Sequence, residues 1–324
     1  MRVLFVDDSC SVRVAFSARL KAMGHDVVPA ADGAEALARF REIPPDLVFM
    51  DIEMPGMNGF EVVRQIRAFE ATRQWAWTPI IFLTATNTPE NLVAAIDAGG
   101  DAFIAKSVPE AVFEAKMKAM ARIAALRAEL KQGKIFLLNL MSAPGSGKTT
   151  TLRRTIAALQ NELRIGVMEA DIDSDVDARA IAETGAKAIQ LHTGGMCHLD
   201  AEMTRQGLEG LGPQDVDLVV LENVGNLVCP AEFDTGAVKN AMILSVPEGD
   251  DKPLKYPLMF QVCDVVLINK IDVLPYFDFD MDKCREYIAM RNPNAKVIPI
   301  CAKTGEGIAE WTDWLREQVK AWQA

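Results

Sequence analysis

Short runs of β-branched and aliphatic residues alternate with amphipathic stretches along the chain, and the cycle is traversed twice. In the first pass, apolar runs predict strands at Arg2–Val6, Asp26–Val28, Asp46–Met50, Ile80–Thr84 and Ala102–Ala105. Helical spacing predicts helices between them near Ser11–Met23, Ala34–Arg41, Gly59–Phe69 and Pro89–Ala98. The second pass begins at Lys134, with strands expected at Ile135–Met141, Ile165–Glu169, Ala188–Leu191, Leu218–Glu222, Ala241–Val246, Val265–Asn269 and Val297–Ile300. Near-continuous apolar strands separated by helices describe parallel sheets covered on both faces. The expected fold class is therefore α/β, with two doubly wound parallel-sheet domains. A longer helical pattern joins the two passes. Pro109 suits a helix start, and Val112, Phe113, Met117, Met120, Ile123, Leu126 and Leu130 recur at helical spacing until Gly133 ends the run. The organisation expected is a domain at 1–108, a connecting helix at 109–133 and a domain at 134–324. The helix reads either as a final domain helix that overshoots or as a dimerising or signal-transmitting element.

Composition narrows this little. Half of the 324 residues are hydrophobic and 24% are charged, a globular mix. The net charge of −11, with neither half basic, argues against nucleic-acid partners, which need clustered cations. No apolar stretch approaches the roughly 20 residues of a membrane span. The first residues carry Asp7 and Asp8 where an export signal would be apolar, so a cytoplasmic location is expected. Six cysteines then read as thiols, available as ligands or core fillers; Cys10, Cys263 and Cys284 look like fillers.

Chemistry in parallel sheets collects at the carboxyl ends of strands. In the first half those ends carry Asp7 and Asp8, then Asp51, Thr84 and Lys106. Converging carboxylates need a cation, and their hard oxygens suit Mg²⁺. Asp51 is placed to attack a phosphoryl donor in line, with Thr84 and Lys106 positioned to bind the acyl phosphate. The stretches VDDS, MDIEMPGMNG, LTAT and AKSVP make this half resemble the response-regulator receiver family over nearly its full length. That resemblance implies a flavodoxin-like fold and phosphorylation of Asp51 by a histidine kinase. It also implies that Asp7, Asp8, Asp51 and the Glu53 backbone carbonyl serve Mg²⁺, and that Phe103 stands at the family's aromatic switch position.

In the second half, Ser142-Ala143-Pro144-Gly145-Ser146-Gly147-Lys148-Thr149 follows a strand and opens a helix. Ser142 replaces the first glycine of the P-loop pattern, but the two later glycines, Lys148 and Thr149 keep its physics: wrapped backbone N–H groups, an ammonium on the β and γ oxygens, and a hydroxyl for Mg²⁺. Pro144, Gly145, Ser146, Gly147, Lys148, Thr149 and Thr150 are the nucleotide-binding stretch. Asn269-Lys270-Ile271-Asp272, together with Cys301-Ala302-Lys303 at a later strand end, reads as a guanine pocket in which Asp272 accepts from the base N1–H and 2-amino group. Asp171 and Glu222, at two further strand ends, are expected beside Mg²⁺. Asp173, Asp175 and Asp177 stand beside Asp171, and the bland reading of this acidic run is a cap for the next helix. Cys197, His198 and Cys229 form a thiol and imidazole set suited to Zn²⁺ or Ni²⁺, whereas His192 reads as structural.

SAPGSGKT, GGMCHLDAEM, ENVGNLVCPAEFD, EGDDKPLKYP, NKIDVLPY and AKTGEG make residues 134–324 resemble the HypB family of nickel-incorporation GTPases of hydrogenase maturation. The resemblance implies GTP hydrolysis to GDP and a homodimer formed through the GTPase domain. It implies that Cys197, His198 and Cys229 are metal ligands near the dimer interface. It also places Lys252 and Lys255 close to the partner's nucleotide, and Val273 and Phe277 at apolar dimer contacts. The implied partners are a nickel-maturation protein and the hydrogenase large subunit. The Cys-rich or His-rich nickel segment that precedes the GTPase domain in some members has no counterpart here; a receiver stands in its place. Two functional readings remain open: a nickel-delivery GTPase regulated by its receiver, and a two-component signalling switch that uses the GTPase half as a dimerising output. The join fits a natural fusion and an engineered one alike.

Overall fold

The computed structural model describes residues 1–71, 78–85, 94–95, 98–171, 181, 184–193 and 197–324. Most of the helix expected at Pro89–Ala98 lies outside the described residues, as do Asp173, Asp175 and Asp177; the side chains of Asp171 and His192 are likewise not described. The chain divides into two compact units, Met1–Ala124 and Ala125–Ala324.

In the first unit, strands β1 (Arg2–Val6), β2 (Asp26–Ala30), β3 (Leu47–Asp51), β4 (Ile80–Thr84) and β5 (Ala102–Ala105) form a sheet in the order β2-β1-β3-β4-β5. All its pairings are parallel. The order reverses between β1 and β3, which opens a crevice at their carboxyl ends. Side chains alternate across each strand. Val3, Phe5 and Phe49 face one core with Phe16 and Leu20 of helix α1 (Cys10–Ala22), while Leu4, Val6 and Met50 face the other with Phe40 of α2 (Gly33–Glu42) and Val62 and Ile66 of α3 (Gly59–Ala71). Asp32 caps α2 by accepting from the Glu35 N–H at 2.8 Å, as its type and position lead one to expect.

The connecting helix, α4, runs unbroken from Glu110 to Gly133. The division of contacts falls inside it. Phe113 and Met117 are fully buried in the first unit's core, where Phe113 meets Phe16 at 5.3 Å between ring centroids. The last turns belong to the second unit: Leu126 lies where a Gly236 side chain would begin, and Arg127 pairs with Asp234 at 2.9 Å.

The second sheet holds β6 (Phe136–Ser142), β7 (Ile165–Asp171), β8 (Lys187–His192), β9 (Leu218–Glu222), β10 (Lys239–Ser245), β11 (Val265–Asn269) and β12 (Lys296–Pro299), in the order β12-β11-β10-β6-β9-β7-β8. Every pairing here is parallel too. The boundaries differ from the expected ones by one or two residues, because Ser142, Asp171 and His192 continue the ladder past the last apolar position. Helices α5 (Lys148–Leu159), α6 (Ala201–Leu211), α10 (Met281–Arg291) and α11 (Ile308–Gln323), the one-turn helices α7 (Cys229–Glu232), α8 (Lys252–Lys255) and α9 (Pro257–Gln261), and short 3₁₀ turns at Pro213–Asp215, Val246–Glu248 and Ile271–Tyr276 complete this unit's described elements. The indole N–H of Trp311 donates to the Thr155 hydroxyl at 2.9 Å and ties α11 to α5 inside the core. Among the described residues no helix is long and apolar enough to cross a membrane.

Candidate functional site

The first cluster lies where β1 and β3 end. The carboxylates of Asp7, Asp8 and Asp51 place one oxygen each within 4.8 Å of one another. Asp7 and Asp51 are buried and Asp8 is exposed. Lys106, just beyond β5, reaches both buried carboxylates with Nζ at 2.8 Å from each. The Ser9 N–H donates to Asp7 Oδ1 at 2.9 Å, and the Arg13 guanidinium donates to the Asp7 and Asp8 carbonyls at 2.7 and 2.9 Å.

Burial pushes the Asp51 carboxyl above its ordinary value, and the Asp7 charge adds to that; the Lys106 hydrogen bond offsets part of it. Burial pulls on Lys106 in the opposite sense, but its bonds to Asp51 and Asp7 prevail and hold its ammonium above the usual lysine range. A set of hard oxygens carrying more negative charge than one lysine cancels fits a small divalent cation. The turn after Asp51 needs glycine at 59: a Cβ there would stand 2.0 Å from the Asp51 carbonyl oxygen. Asn58 caps α3, accepting from the Glu61 N–H at 3.0 Å. Thr84 is buried at the end of β4, Glu53 is exposed, and Phe103 is partly buried against the sheet. An open cleft of about 610 Å³, lined by Asp8, Glu53, Asn58 and Phe60 among others, adjoins Asp8.

The second cluster gathers at the carboxyl edge of the other sheet. Gly145 and Gly147 adopt φ of +73° and +98°, left-handed conformations that favour glycine, in the loop that opens α5. Asn269 knits the loops together. Its amide donates to the Ser146 carbonyl at 2.8 Å, and its Oδ1 accepts from the Lys270 and Ala302 N–H groups at 2.8 and 3.1 Å. Lys270 takes a left-handed backbone, φ +65°, and donates through Nζ to the Gly145 carbonyl at 2.7 Å. Arg154 of α5 donates to the carbonyls of Ala302 and Lys303 at 3.1 and 2.8 Å.

Cys301 is buried and its N–H donates to the Glu306 carbonyl, so its side chain is part of the loop's interior. Asp272 is exposed on a 3₁₀ turn at Ile271–Tyr276, open to a base. Lys148 donates to the Asn223 carbonyl at 3.1 Å, and Glu222 is buried at the end of β9. Pro144, Thr149 and Thr150 stand in the same loop and first helical turn.

Two features here escape sequence reasoning. Glu169 is buried within β7 as the register partner of Glu222. It escapes because the apolar run ends at that residue, so its carboxylate reads as a strand boundary. The other is Asn139, which sits inside an apolar run without a motif signature and joins Asn223 to Asn240 in a file of amides.

The soft-metal set is only partly assembled. Cys197 and Cys229, drawn together from segments 32 residues apart, bring their sulfurs to 2.8 Å. The hydrogen bond from Cys197 raises the Cys229 thiol above its ordinary value, with burial adding to it. His198, expected as the third ligand, does not close the set. Among the described residues, Asp7, Asp8 and Asp51 form the sole group of three candidate ligands within 4.8 Å. The reason is packing: the imidazole stacks on Phe233, with ring centroids 3.5 Å apart and planes 10° from parallel. Lys252 and Lys255 lie on α8, Val273 is partly buried, and Phe277 is 45% exposed; Val228, Phe233, Leu254 and Tyr276 are further exposed apolar side chains.

A family model described as "CobW/HypB/UreG, nucleotide-binding domain" matches residues 136–299, and one described as "Response regulator receiver domain" matches 3–118. The hydrogenase maturation factor HypB of Azotobacter chroococcum mcd 1 is 49% identical over 192 residues, covering 59% of this chain and 63% of that one. The hydrogenase/urease maturation factor HypB of Helicobacter hepaticus is 40% identical over 197 residues, covering 60% and 81%. The crystal structure of HypB from Archaeoglobus fulgidus covers 63% of this chain and 99% of its own at 38% identity, with a TM-score of 0.59. That of HypB from Helicobacter pylori in complex with nickel covers 63% and 95% at 35% identity, also with a TM-score of 0.59.

The geometry of the P-loop yields a test. A Cβ on Gly147 would stand 2.5 Å from the Asn269 amide nitrogen, on a backbone that L side chains rarely adopt. Gly147→Ala is expected to weaken guanine-nucleotide affinity by about tenfold or more, measured by fluorescent-GDP titration. Gly185→Ala, equally strained in φ but with open space around it, is expected to leave affinity unchanged.

Proposed function

The chain belongs to the CobW/HypB/UreG family of nucleotide-binding proteins and carries a response-regulator receiver domain ahead of that domain, and from this premise we propose that it is a GTP-hydrolysing metallochaperone for nickel insertion in hydrogenase maturation. The carrying observation is the meeting of the Cys197 and Cys229 sulfurs a few residues beyond the Glu222 strand end. The Glu222–Gly225 turn faces the P-loop, with Gly225 against Pro144. A rearrangement of that turn around nucleotide passes through Asn226 and Leu227 to Cys229. Nucleotide state and grip on a soft cation are thereby linked.

The Gly145–Thr150 backbone binds the phosphates, Lys148 neutralises charge growing on the γ-phosphate oxygens, and Asp272 selects guanine through two hydrogen bonds. Asn269, Lys270 and the Cys301–Lys303 loop hold the base pocket against the P-loop. Thr149, Asp171 and Glu222 are the groups that would hold Mg²⁺, which when bound screens the phosphate charge. The metal ion taken by Cys197 and Cys229 is cargo, Ni²⁺ or Zn²⁺ by the softness of its ligands. A homodimer through the region of Phe277, Val273, Lys252 and Lys255 supplies the further ligand that His198, stacked on Phe233, does not give within one chain.

In the receiver, Asp51 accepts a phosphoryl group from a histidine kinase. Asp7, Asp8, Asp51 and the Glu53 carbonyl would hold Mg²⁺, Thr84 and Lys106 bind the phosphoryl oxygens, and Phe103 responds. The unbroken helix Glu110–Gly133 supports coupling of that event to the GTPase unit, in a cytoplasmic protein whose partners are a nickel-maturation protein and the hydrogenase large subunit. The chain spans 63% of the length of the Azotobacter relative.

Three outcomes are expected. Lys148→Ala lowers GTP turnover by about 100-fold or more, and Asp272→Ala removes the preference for GTP over ATP; equal turnover of the two nucleotides by the unaltered protein overturns the base pocket. Stoichiometric Ni²⁺ or Zn²⁺ binding, followed by titration calorimetry with and without GTP and Mg²⁺, is lost in Cys197→Ala; its retention removes the metallochaperone reading. Beryllofluoride added to the nucleotide-free protein shifts the dimerisation equilibrium seen by sedimentation, and Asp51→Asn abolishes the shift.

A further inference from the structure

Three asparagines form a directional file across the centre of the second sheet. The Asn223 amide donates to Asn139 Oδ1 at 3.0 Å, the Asn139 amide donates to Asn240 Oδ1 at 3.0 Å, and the Asn240 amide donates to the Val262 carbonyl at 3.1 Å. Asn139 and Asn223 are 2% and 0% exposed. Asn139 stands in the middle of β6, flanked by Leu138 and Leu140 and registered against Leu221. An apolar side chain would suit that position in a covered parallel strand, and a buried amide is tolerated only when bonded. Its place therefore turns on what it holds.

It holds Asn223. That residue is the first after β9 and follows Glu222 directly. Its N–H donates to the Leu140 carbonyl at 3.0 Å, its Oδ1 accepts from the Val224 N–H at 2.9 Å, and its carbonyl accepts from Lys148 Nζ at 3.1 Å. With its Oδ1 committed to its own turn, the Asn223 side chain is oriented by what its amide finds, and that partner is Asn139. We propose that Asn139 is a positioning residue for nucleotide hydrolysis. Through Asn223 it fixes the carbonyl that aims the Lys148 ammonium and the strand end that presents Glu222, while touching no nucleotide itself. An ammonium has three donors, so Lys148 keeps the Asn223 carbonyl while a second donor meets a phosphate oxygen.

The inference rests on the GTP-hydrolysis reading and adds a residue to it. Asn139→Leu keeps the number and branching of side-chain heavy atoms and removes the bond. It lowers kcat for GTP by about tenfold and leaves GDP affinity within about twofold, because the Gly145–Thr149 backbone and the Asn269 contacts are untouched. Asn223→Ala removes the same bond from its other end and gives a similar fall in kcat. The double variant falls no further than either alone. Asn240→Ala breaks the file on the far side and lowers the melting temperature comparably, but leaves kcat within about twofold. Equal kcat losses at Asn139 and Asn240, additive losses at Asn139 and Asn223, or unchanged kcat in folded Asn223→Ala each overturn the proposal. Turnover that vanishes in Lys148→Ala but ignores Asn139 overturns this inference alone. Turnover indifferent to Lys148 overturns the hydrolysis reading itself.

Discussion

A parallel strand covered by helices on both faces has no solvent along its length, so a charge placed inside it pays a desolvation penalty that only a bonded partner offsets, whereas a charge at its carboxyl end meets open space and the amino ends of helices. Both units obey this constraint. Asp7, Asp51, Thr84 and Lys106 stand at or just past strand ends in the first, and Ser142, Glu222, Asn269 and Cys301 do so in the second. Because the strands of each sheet run parallel, these ends share one edge, and residues distant in sequence become neighbours. The groups so gathered are held by specific means: one lysine between two aspartates in the receiver unit, and one asparagine amide bridging backbone groups of separate loops in the nucleotide unit.

The same constraint explains what was legible from sequence. Strand-end residues interrupt apolar runs at their boundaries, so a reading for edges finds them, and their types then declare the chemistry. Asn139 lies inside an apolar run, and Glu169 stands where such a run ends. From sequence alone an interior Asn is indistinguishable from a misjudged boundary, and the hydrogen bonds that justify Asn139 come from residues about eighty to a hundred positions away. Cys197 and Cys229 meet from segments 32 residues apart, whereas adjacency to a cysteine says nothing of ring orientation, and an aromatic neighbour 35 residues on, Phe233, takes the face of the His198 imidazole. Helical periodicity marks the helix that the structure describes at Glu110–Gly133, but it carries no sign that the packing changes owner within it, from Phe113 and Met117 in the first unit to Leu126 in the second.

The nucleotide loops show how strain is located. Lys270 takes a left-handed backbone that costs a non-glycine residue roughly 1 kcal/mol or more. Its ammonium, bonded to the Gly145 carbonyl, fastens the base pocket to the phosphate loop in return. With Asn269 on one side and Arg154 on the other, the P-loop and the two base-side loops are tied together by side-chain to backbone bonds. Phosphate and base sites are thus preorganised as one body, whereas the Glu222–Cys229 segment is joined to that body chiefly through Lys148 and the amide file.

Helix α4 has a further consequence. An α-helix advances about 100° per residue, and Phe113 and Met117 on one stretch, Leu126 and Arg127 on another, are each committed to their own packing partners. The two ends of one helix therefore serve as core side chains of two different units, and a substitution at either end is felt first by the unit that buries it.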